Sequence, residues 1–275
     1  MNRKIFIIVG IVIIAVLGVL IFFSTGGRDI FLNRQQARRM TATSAEIINS
    51  ANQEEAKGNL IAAISLYKRL VNDFPNSSRV GSWQKKIWDL NINLLFSPIL
   101  TGASVEYEVK SGDNLAKIAK KYNTTIDFLK RSNNLSSDKI MPGKKIKVWT
   151  RPFNIVVDKS QNILILKSDD EIIKTYVVST GMGNSTPTGK FKIVNKLVDP
   201  PWFKDGTMIP SSSPENILGS RWMGFDRLPS YGIHGTTQNE TLGQQITQGC
   251  VRMSNFDVEE LYTIVPAGTE VVIVD

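Results

Sequence analysis

The chain is poor in the residues from which disulfides and metal sites are built: its 275 residues include one cysteine and one histidine. One cysteine cannot form an intrachain disulfide, and one cysteine with one histidine cannot supply the four ligands of a structural zinc site. The sequence therefore predicts no disulfide, no metal and no cofactor. It leaves a free thiol whose presence needs an explanation.

Acidic residues are in the minority, and the formal net charge is +8. A basic balance of this kind favours anionic surroundings. Nucleic acid is one such partner, but the chain contains no recognised nucleic-acid-binding motif. The composition therefore favours a membrane surface or an anionic cell wall as the environment, and no nucleic acid as a partner.

One long apolar run is present, from Ile5 to Phe23, behind Arg3 and Lys4. As a helix, about 19 residues would reach ~29 Å, which matches a hydrocarbon core of ~30 Å. The run is longer than the apolar part of a typical signal peptide, and no small-x-small cleavage site follows it. We therefore expect an uncleaved transmembrane signal anchor over residues 1–27, with a cleaved signal peptide as the alternative.

Residues 28–97 carry apolar side chains at helical spacing. Gly58-Asn59 separates two predicted helices, Pro75 ends the second, and Trp83 to Leu90 predicts a third. The segment has a weak resemblance to one tetratricopeptide repeat, carried by Ala51, Gly58, Ala63, Tyr67 and Pro75. Because such repeats normally need about three copies to bury a core, two interpretations stay open: a groove for a protein partner, or a small helical spacer.

After a predicted linker over residues 98–104, residues 105–149 show the order strand, helix, helix, strand. The stretches Val109 to Leu115 and Ile140 to Gly143 give this region a close resemblance to a LysM domain. That family binds glycans containing N-acetylglucosamine, in a shallow groove between the first strand–helix loop and the loop before the last strand. The family more often has Thr or Ser where Asn114 stands, but loop backbone groups supply much of the recognition. The resemblance implies glycan contacts from Gly112, Asp113, Asn114, Leu115, Ile140, Met141 and Pro142.

From Phe153 onward, short strand-like runs alternate with turn residues. Residues 198–230 contain Trp202 and Trp222 and read as one long lid or binding loop. Ser254 to Asp257 fits a helix-capping box, and residues 271–274 read as a closing strand. Residues 152–275 are therefore predicted to form a mainly-β sandwich or barrel-like domain with one helix.

The single cysteine and the single histidine lie in one glycine-rich region, Tyr231 to Arg252. A nucleophile needs a base within hydrogen-bonding reach, and both His234 and Cys250 stand beside glycines, which allow sharp turns and close approach of a substrate. On this spacing alone, a buried thiol and an unrelated histidine remain the alternative.

His-Gly-Thr at 234–236 and Gly-Cys-Val-Arg-Met at 249–253, with matching blocks at 179–191, 221–224 and 266–269, resemble the L,D-transpeptidase catalytic domain. The resemblance implies that Cys250 is the nucleophile and that His234 is its base. It also implies that the Gly235 carbonyl orients the imidazole, and that the N–H groups of Gly249 and Cys250 bind the oxyanion. Trp222, Tyr231 and Arg252 are the candidate substrate-binding residues. For Arg252, an ion pair that stabilises its loop is an equally open interpretation.

One position departs from the family pattern: Gln248 stands where the family usually has a histidine. A glutamine cannot accept a proton at neutral pH, but its amide offers two N–H donors. We therefore predict that Gln248 donates to the oxyanion or holds its loop, and that the base role falls to His234 alone.

The expected protein is thus multidomain: a transmembrane helix, a small all-α segment, an α+β LysM domain and a mainly-β catalytic domain. The resemblance implies a peptidoglycan L,D-transpeptidase that releases D-alanine from a stem tetrapeptide and passes the acyl group to an acceptor amine. Its partners would be stem peptides, glycan strands and, through Ile5 to Phe23, the bacterial inner membrane. A simple count of the basic residues that follow the span would place the rest of the chain in the cytoplasm. Long domains often cross the membrane regardless of charge, so we expect an extracytoplasmic catalytic domain. Two alternatives are an L,D-carboxypeptidase and a non-catalytic wall-binding scaffold, the latter favoured by Gln248.

Overall fold

The structure is a computed structural model and describes residues 43–275. The predicted membrane anchor, Ile5 to Phe23, lies outside the described residues. Of the helices between residues 43 and 275, none is both long enough and apolar enough to cross a bilayer. The chain divides into two units, with the boundary after Lys85.

The described part of the first unit, residues 43–85, is helical, as the apolar spacing predicts. Helix α1 covers residues 43–56, α2 covers Leu60–Asp73, and α3, Val80–Leu95, begins in this unit. Between α1 and α2, Gly58 has φ of 78°, a left-handed conformation that glycine adopts without strain. Helix α2 buries Ala63, Ile64, Tyr67 and Leu70, which recur at helical spacing on one face. Over residues 43–95 the helical segment is confirmed, whereas the resemblance to a tetratricopeptide repeat stays a prediction.

The LysM-like region has the predicted order of elements. Strand β1 (Ser104–Glu108) and strand β2 (Lys145–Trp149) pair antiparallel around helices α4 (Leu115–Lys121) and α5 (Ile126–Ser132). Both helices begin at a side-chain cap, because Asn114 accepts from the Lys117 N–H and Thr125 accepts from the Phe128 N–H. A small core fills the space between the layers: Val109, Leu115, Ile118, Ala119, Leu129, Ile146 and Val148.

The C-terminal region is built on one eight-stranded sheet. Its strands are β3 (Phe153–Asp158), β4 (Ile163–Ser168), β5 (Glu171–Val177), β7 (Gly189–Val198), β10 (Arg221–Phe225), β11 (Gly232–His234), β13 (Val251–Arg252) and β14 (Glu270–Val274). They lie in the order β13-β11-β10-β7-β14-β3-β4-β5. Most neighbouring strands are antiparallel, whereas the pairs β3–β14 and β11–β13 are parallel. Two short pairs lie outside it: β6 (Thr180–Gly181) with β12 (Gln245–Thr247), and β8 (Trp202–Lys204) with β9 (Thr207–Ile209).

Helix α6 (Asn255–Ile264) packs on the sheet: Val258, Leu261 and Ile264 are fully buried in one cluster with its apolar face. A polar cluster ties the helix to β5, since Glu260 accepts from Lys174 Nζ at 2.7 Å and from the Tyr176 hydroxyl at 2.9 Å. The prediction of a mainly-β domain with one helix is confirmed.

The stretch predicted as one long loop, residues 198–230, is more structured than expected. It contains the β8–β9 hairpin and strand β10. The hairpin turns at Asp205 and Gly206, which both have positive φ, 48° and 79°. Asp-Gly is a favoured pair for this kind of two-residue turn, so the sequence contained a signal that the loop interpretation overlooked.

Within the second unit, the LysM-like region shares a core with the C-terminal region. Phe128 of α5 contacts Phe153 of β3 edge to face, with ring centroids 5.8 Å apart. Lys147 of β2 donates to the carbonyls of Leu94 and Ser97, at 2.7 Å and 2.8 Å, at the end of α3. Burial lowers the pKa of Lys147 to about 8. The segment predicted as a linker, 98–104, therefore joins elements that are packed together, and it does not tether a separate module.

Candidate active site

The parallel pair β11–β13 brings the histidine and the cysteine into one region of the sheet. Ile233 pairs with Val251, and His234 pairs with Arg252. Paired residues share a face and side chains alternate along a strand, so fully buried Ile233 and Val251 face the core, and His234 and Arg252 share the opposite face. Cys250 immediately precedes β13, and its Sγ lies 3.7 Å from the Ser230 carbonyl oxygen, just before β11.

The imidazole of His234 is buried, with 2% of the residue exposed. Its Nδ1 lies 2.7 Å from the carbonyl oxygen of Gly235, which can only accept. Nδ1 therefore carries the hydrogen, and Nε2 is left with the lone pair that a general base needs. The Trp222 ring stacks on the imidazole at a centroid distance of 6.0 Å.

Burial lowers the pKa of His234 to about 4, because the imidazolium loses its hydration. The charge of Arg252 lowers this pKa further, whereas the nearby carbonyls of Gly235 and Leu218 act in the opposite direction. The imidazole is therefore neutral at pH 7 and able to accept a proton.

The Cys250 thiol is half-buried and is the free cysteine of the chain. Burial raises the pKa of this thiol, although the Gly232 N–H and the charge of Arg252 act to lower it. At neutral pH the resting site therefore contains a neutral thiol and a neutral imidazole. In this arrangement the proton leaves sulfur as the attack proceeds, and a preformed thiolate–imidazolium pair is not required.

At position 249, directly before Cys250, both the backbone conformation and the available space require glycine. Its φ is 127°, in a region that residues with a side chain rarely adopt. A Cβ atom there would collide with the ring of Tyr231. Tyr231, predicted to bind substrate, thus packs under the nucleophile loop and against the core.

A threonine that the sequence analysis passed over shapes the same loop. The Thr247 hydroxyl donates to the Cys250 carbonyl at 2.7 Å and accepts from the Gly249 N–H at 3.1 Å. The Gly249 N–H, predicted as an oxyanion donor, is therefore already occupied, and of the two predicted donors the Cys250 N–H remains. A Ser or Thr hydroxyl that bonds to nearby backbone is a common local motif, so this role of Thr247 could have been predicted from the sequence.

Gln248 is exposed, and its side chain makes no hydrogen bond to any residue in the range 43–275. The structure thus assigns the holding of the loop to Thr247. Donation by Gln248 to an oxyanion stays a prediction.

Arg252 is 7% exposed, and its backbone is held by reciprocal hydrogen bonds with Ser179. Its Nη1 lies 3.3 Å from the Thr241 hydroxyl, while its buried Nε has no hydrogen-bond partner in the described part of the chain. No carboxylate of residues 43–275 pairs with the guanidinium, so the alternative of a loop-stabilising ion pair is not what the structure shows. Its positive charge instead acts on Cys250 and His234.

Two side chains that were not predicted as site residues, Asn195 and Thr186, also support the site. The Trp222 indole N–H donates to Asn195 Oδ1 at 3.1 Å, which fixes the ring that stacks on His234. The Thr186 hydroxyl accepts from the Gly181 N–H at 2.7 Å, next to the point where Gly181 meets Gly249. For Asn195, only strand register and long-range packing bring it to the site, so local sequence patterns held no signal. Thr186, in contrast, lies in the block 179–191 that matches the family, and its bond to Gly181 spans five residues.

The structure also brings together the two loops of the predicted glycan groove. The Val109 N–H donates to the Lys144 carbonyl at 2.9 Å, and the Gly143 N–H donates to the Val109 carbonyl at 2.8 Å. These bonds place Gly112, Asp113 and Asn114 beside Ile140, Met141 and Pro142 at one end of the LysM-like region.

Within this predicted groove, the side chains differ in availability. Met141 is 74% exposed, whereas Leu115 is 1% exposed and its side chain belongs to the core. The Asp113 carboxylate is engaged by the Tyr107 hydroxyl and the Lys110 N–H. Asn114 caps α4, a role that Ser and Thr, the more usual family residues here, also fill. Any contact of Leu115 with a glycan must therefore use its backbone.

No group of three or more His, Cys, Asp or Glu side chains between residues 43 and 275 is disposed to hold a metal ion.

Comparison with known proteins gives a consistent result. Residues 152–273 match the family described as the L,D-transpeptidase catalytic domain (YkuD), and residues 107–149 match the LysM domain. The chain is 38% identical over 126 residues to a putative L,D-transpeptidase, YqjB, of Bacillus subtilis, covering 44% of this chain and 70% of that protein. It is 32% identical over 174 residues to the putative L,D-transpeptidase YkuD of the same organism, covering 61% of this chain and 97% of that protein.

Among solved structures, an L,D-transpeptidase from Mycobacterium smegmatis aligns with a TM-score of 0.39 and 20% identity, covering 48% of this chain and 64% of that one.

Proposed function

The chain belongs to the L,D-transpeptidase family, with a LysM domain ahead of the catalytic domain, and from this premise we propose that it is a peptidoglycan L,D-transpeptidase that works through a thioester on Cys250. The observation that carries the proposal is the parallel pairing of Gly232–His234 with Val251–Arg252, because it sets His234 beside the strand that Cys250 immediately precedes. The hydrogen bond from Nδ1 to Gly235 supports it further, because it leaves Nε2 free to act as the base.

Acylation begins with a stem tetrapeptide as the donor. The Cys250 sulfur attacks the carbonyl carbon that joins the third residue to the terminal D-alanine, while the thiol proton passes to His234 Nε2. The tetrahedral intermediate then collapses, and the C–N bond breaks. His234 returns the proton to the departing amine, so that D-alanine leaves and a thioester remains on Cys250.

The negative charge of the tetrahedral intermediate is met by the Cys250 N–H, by the Gln248 amide when it turns toward the site, and by the field of Arg252. Arg252 suits this role because its guanidinium is buried, carries no carboxylate partner among the described residues and acts on both reacting side chains. Capture of a substrate carboxylate by Arg252 would fall to its Nη groups, because its Nε is buried.

Deacylation transfers the acyl group to an amine of a neighbouring stem, which cross-links the wall. Water in place of the amine would make the protein an L,D-carboxypeptidase with the same first half-reaction. We place the LysM domain on the glycan strand that carries the stems. We also place the catalytic domain outside the cytoplasm, anchored in the bacterial inner membrane through Ile5 to Phe23, and the helical segment in contact with a protein partner or acting as a spacer.

Mass analysis of the products tests the proposal. The full chain in detergent is incubated with purified tetrapeptide muropeptides, and we expect release of D-alanine together with cross-linked dimers. Cys250→Ala should give neither product. Tripeptide muropeptides without dimers would assign the protein as a carboxypeptidase. A folded chain that leaves the substrate unchanged would favour the non-catalytic scaffold.

A further inference from the structure

Asn255 is the first residue of helix α6, and its side chain extends from the helix toward the loop that precedes β10. Its Oδ1 accepts a hydrogen bond from the Ser220 N–H at 3.0 Å. The helix itself is capped by Ser254, whose hydroxyl accepts from the Asp257 N–H. The Asn255 carboxamide is thus not needed as the helix cap and is committed to a different segment of the chain.

Two glycines show how tightly that carboxamide is enclosed. A Cβ atom added to Gly219 or to Gly235 would run into Asn255 Oδ1. A Cβ on Gly219 would also come within 2.5 Å of the Gly235 carbonyl carbon and 2.6 Å of the Thr236 nitrogen. Gly219 has φ of 65°, which favours glycine as well. The loop from Leu218 to Ser220 therefore crosses directly over the Gly235–Thr236 peptide, with Asn255 in the corner between them.

These two crossing segments carry the carbonyl groups that face the catalytic imidazole. The Gly235 carbonyl accepts from His234 Nδ1 at 2.7 Å. The Leu218 carbonyl also lies close enough to the ring to favour its protonated form. No carboxylate in the described part of the chain bonds to the imidazole, so backbone carbonyls and the stacked Trp222 orient the ring. Asn255 Oδ1 contacts both segments, since it accepts from the Ser220 N–H and fills the space where a Cβ on Gly219 or Gly235 would lie. A backbone bond from the Gly235 N–H to the Arg221 carbonyl, at 3.1 Å, joins the same two segments.

We propose that Asn255 is a positioning residue for His234: by joining the Leu218–Ser220 loop to the Gly235 turn, it keeps the hydrogen on Nδ1 and Nε2 directed at the Cys250 thiol. The inference rests on the proposed function, since it takes His234 as the base for Cys250. Asn255 itself touches neither the substrate nor the reacting atoms. Its effect is on the alignment of the base, which determines the rate of proton transfer.

The test uses the full chain in detergent and two readouts. The first is the rate at which a carbapenem adds its mass to the protein, measured over a range of carbapenem concentrations. The second is the ¹⁵N spectrum of the imidazole, which is assigned without ambiguity because the chain has one histidine. Asn255→Ala removes the carboxamide, and Asn255→Asp keeps an oxygen acceptor for the Ser220 N–H. Phe256→Ala is the matched control, since the adjacent Phe256 is 76% exposed.

We expect Asn255→Ala to lower the maximal acylation rate by roughly 10- to 100-fold, the size of effect that a misalignment of ~1 Å produces, with little change in the concentration for half-maximal rate. The ¹⁵N spectrum should shift from the Nδ1–H form to a mixture of tautomers. Asn255→Asp should restore the wild-type tautomer and most of the rate, and Phe256→Ala should resemble the wild type in both readouts. If Asn255→Ala does not fold, Asn255→Ser, which is too short to reach Ser220, replaces it in the same comparison.

A folded variant without the acceptor that keeps the wild-type tautomer and the wild-type rate would overturn the inference. Equal loss in Asn255→Asp and Asn255→Ala would also overturn it, since the acceptor would then not be what matters. Failure of the wild-type chain to form any adduct would instead refute the proposed function. The ¹⁵N readout keeps the two outcomes apart, because it reports the histidine whether or not the thiol reacts.

Discussion

The protonation state of the resting site leads to a sharp prediction about pH. Burial lowers the pKa of His234 to about 4 and raises the pKa of Cys250 above its ordinary value of 9.0. At pH 7 about one imidazole in a thousand is then protonated, and fewer than about one thiol in a hundred is ionised. At neutral pH, His234 is therefore able to accept a proton, whereas Cys250 is still a protonated thiol.

Two reactions of the same thiol should therefore respond differently to pH. Alkylation by iodoacetamide needs a thiolate and uses no base from the protein, so its rate should stay low at neutral pH and rise only above about pH 9. Acylation by a substrate that engages His234 should be nearly level from about pH 6 to pH 8. It should fall as the pH decreases toward 4, because protonation of the imidazole removes the base.

Intact-mass measurement follows both reactions, and every adduct reports Cys250 because the chain has one cysteine. The unfolded chain in urea, with an ordinary thiol pKa, is the control for the alkylation series. An alkylation rate that already reaches its plateau near pH 6 would refute the reasoning, since it would reveal a stable thiolate paired with an imidazolium.

Three other changes give further tests. Gly249→Ala should reduce acylation by more than 100-fold, because the residue has φ of 127° and faces the Tyr231 ring; wild-type acylation would contradict the packing described here. Gln248→Ala should slow acylation by ~10²–10³-fold if the Gln248 amide binds the oxyanion, and it should not change Tm because the side chain is exposed. Gln248→His should stay active. An unchanged rate in Gln248→Ala would mean that backbone donors alone bind the oxyanion. Binding to insoluble peptidoglycan should weaken as salt increases, because residues 105–149 contain ten basic and five acidic residues; salt-independent binding would show that charge plays no part.

Membrane topology is open to a similar test. Protease added to cells stripped of any outer barrier should digest the chain beyond Phe23, and protection of the catalytic domain would mean that the basic residues after the span set the orientation.

Local patterns were sufficient for much of the fold. Alternating burial in Phe153–Asp158 and the apolar face of Leu60–Asp73 follow directly from periods of two and of about 3.6 residues. The caps at Asn114, Thr125 and Ser254 form where short polar side chains precede apolar helices.

Features that depend on distant packing could not be predicted in this way. Phe128 fits the apolar pattern of a LysM helix, yet it packs in the core of the catalytic region, because a helix pattern does not specify which neighbour covers each face. The sequence predicts Tyr231 as an aromatic contact for substrate, whereas in the structure its ring packs against Gly249. Thr247 is an intermediate case, since its hydroxyl bonds only to residues two and three positions away.

The glycine-flanked motifs predict a cysteine nucleophile and a histidine base, but they do not predict the geometry between the two. The parallel register between Gly232–His234 and Val251–Arg252 sets the placement of that region, and it joins segments separated by residues 235–250, which include strand β12. Strand register of this kind depends on the whole sheet, so the geometry of the site cannot be predicted from local sequence motifs.

The central claim is that Cys250 carries the acyl group between donor and acceptor. The direct measurement is the intact mass of the full chain, quenched in acid within the first turnovers with a tetrapeptide donor and no acceptor amine. The account predicts a mass increase equal to the donor less D-alanine, localised to the peptide that contains Cys250, sensitive to hydroxylamine, and absent from Cys250→Ser and from unfolded protein. Release of D-alanine by a wild-type chain that never carries this mass, or release that persists in Cys250→Ser, would contradict it.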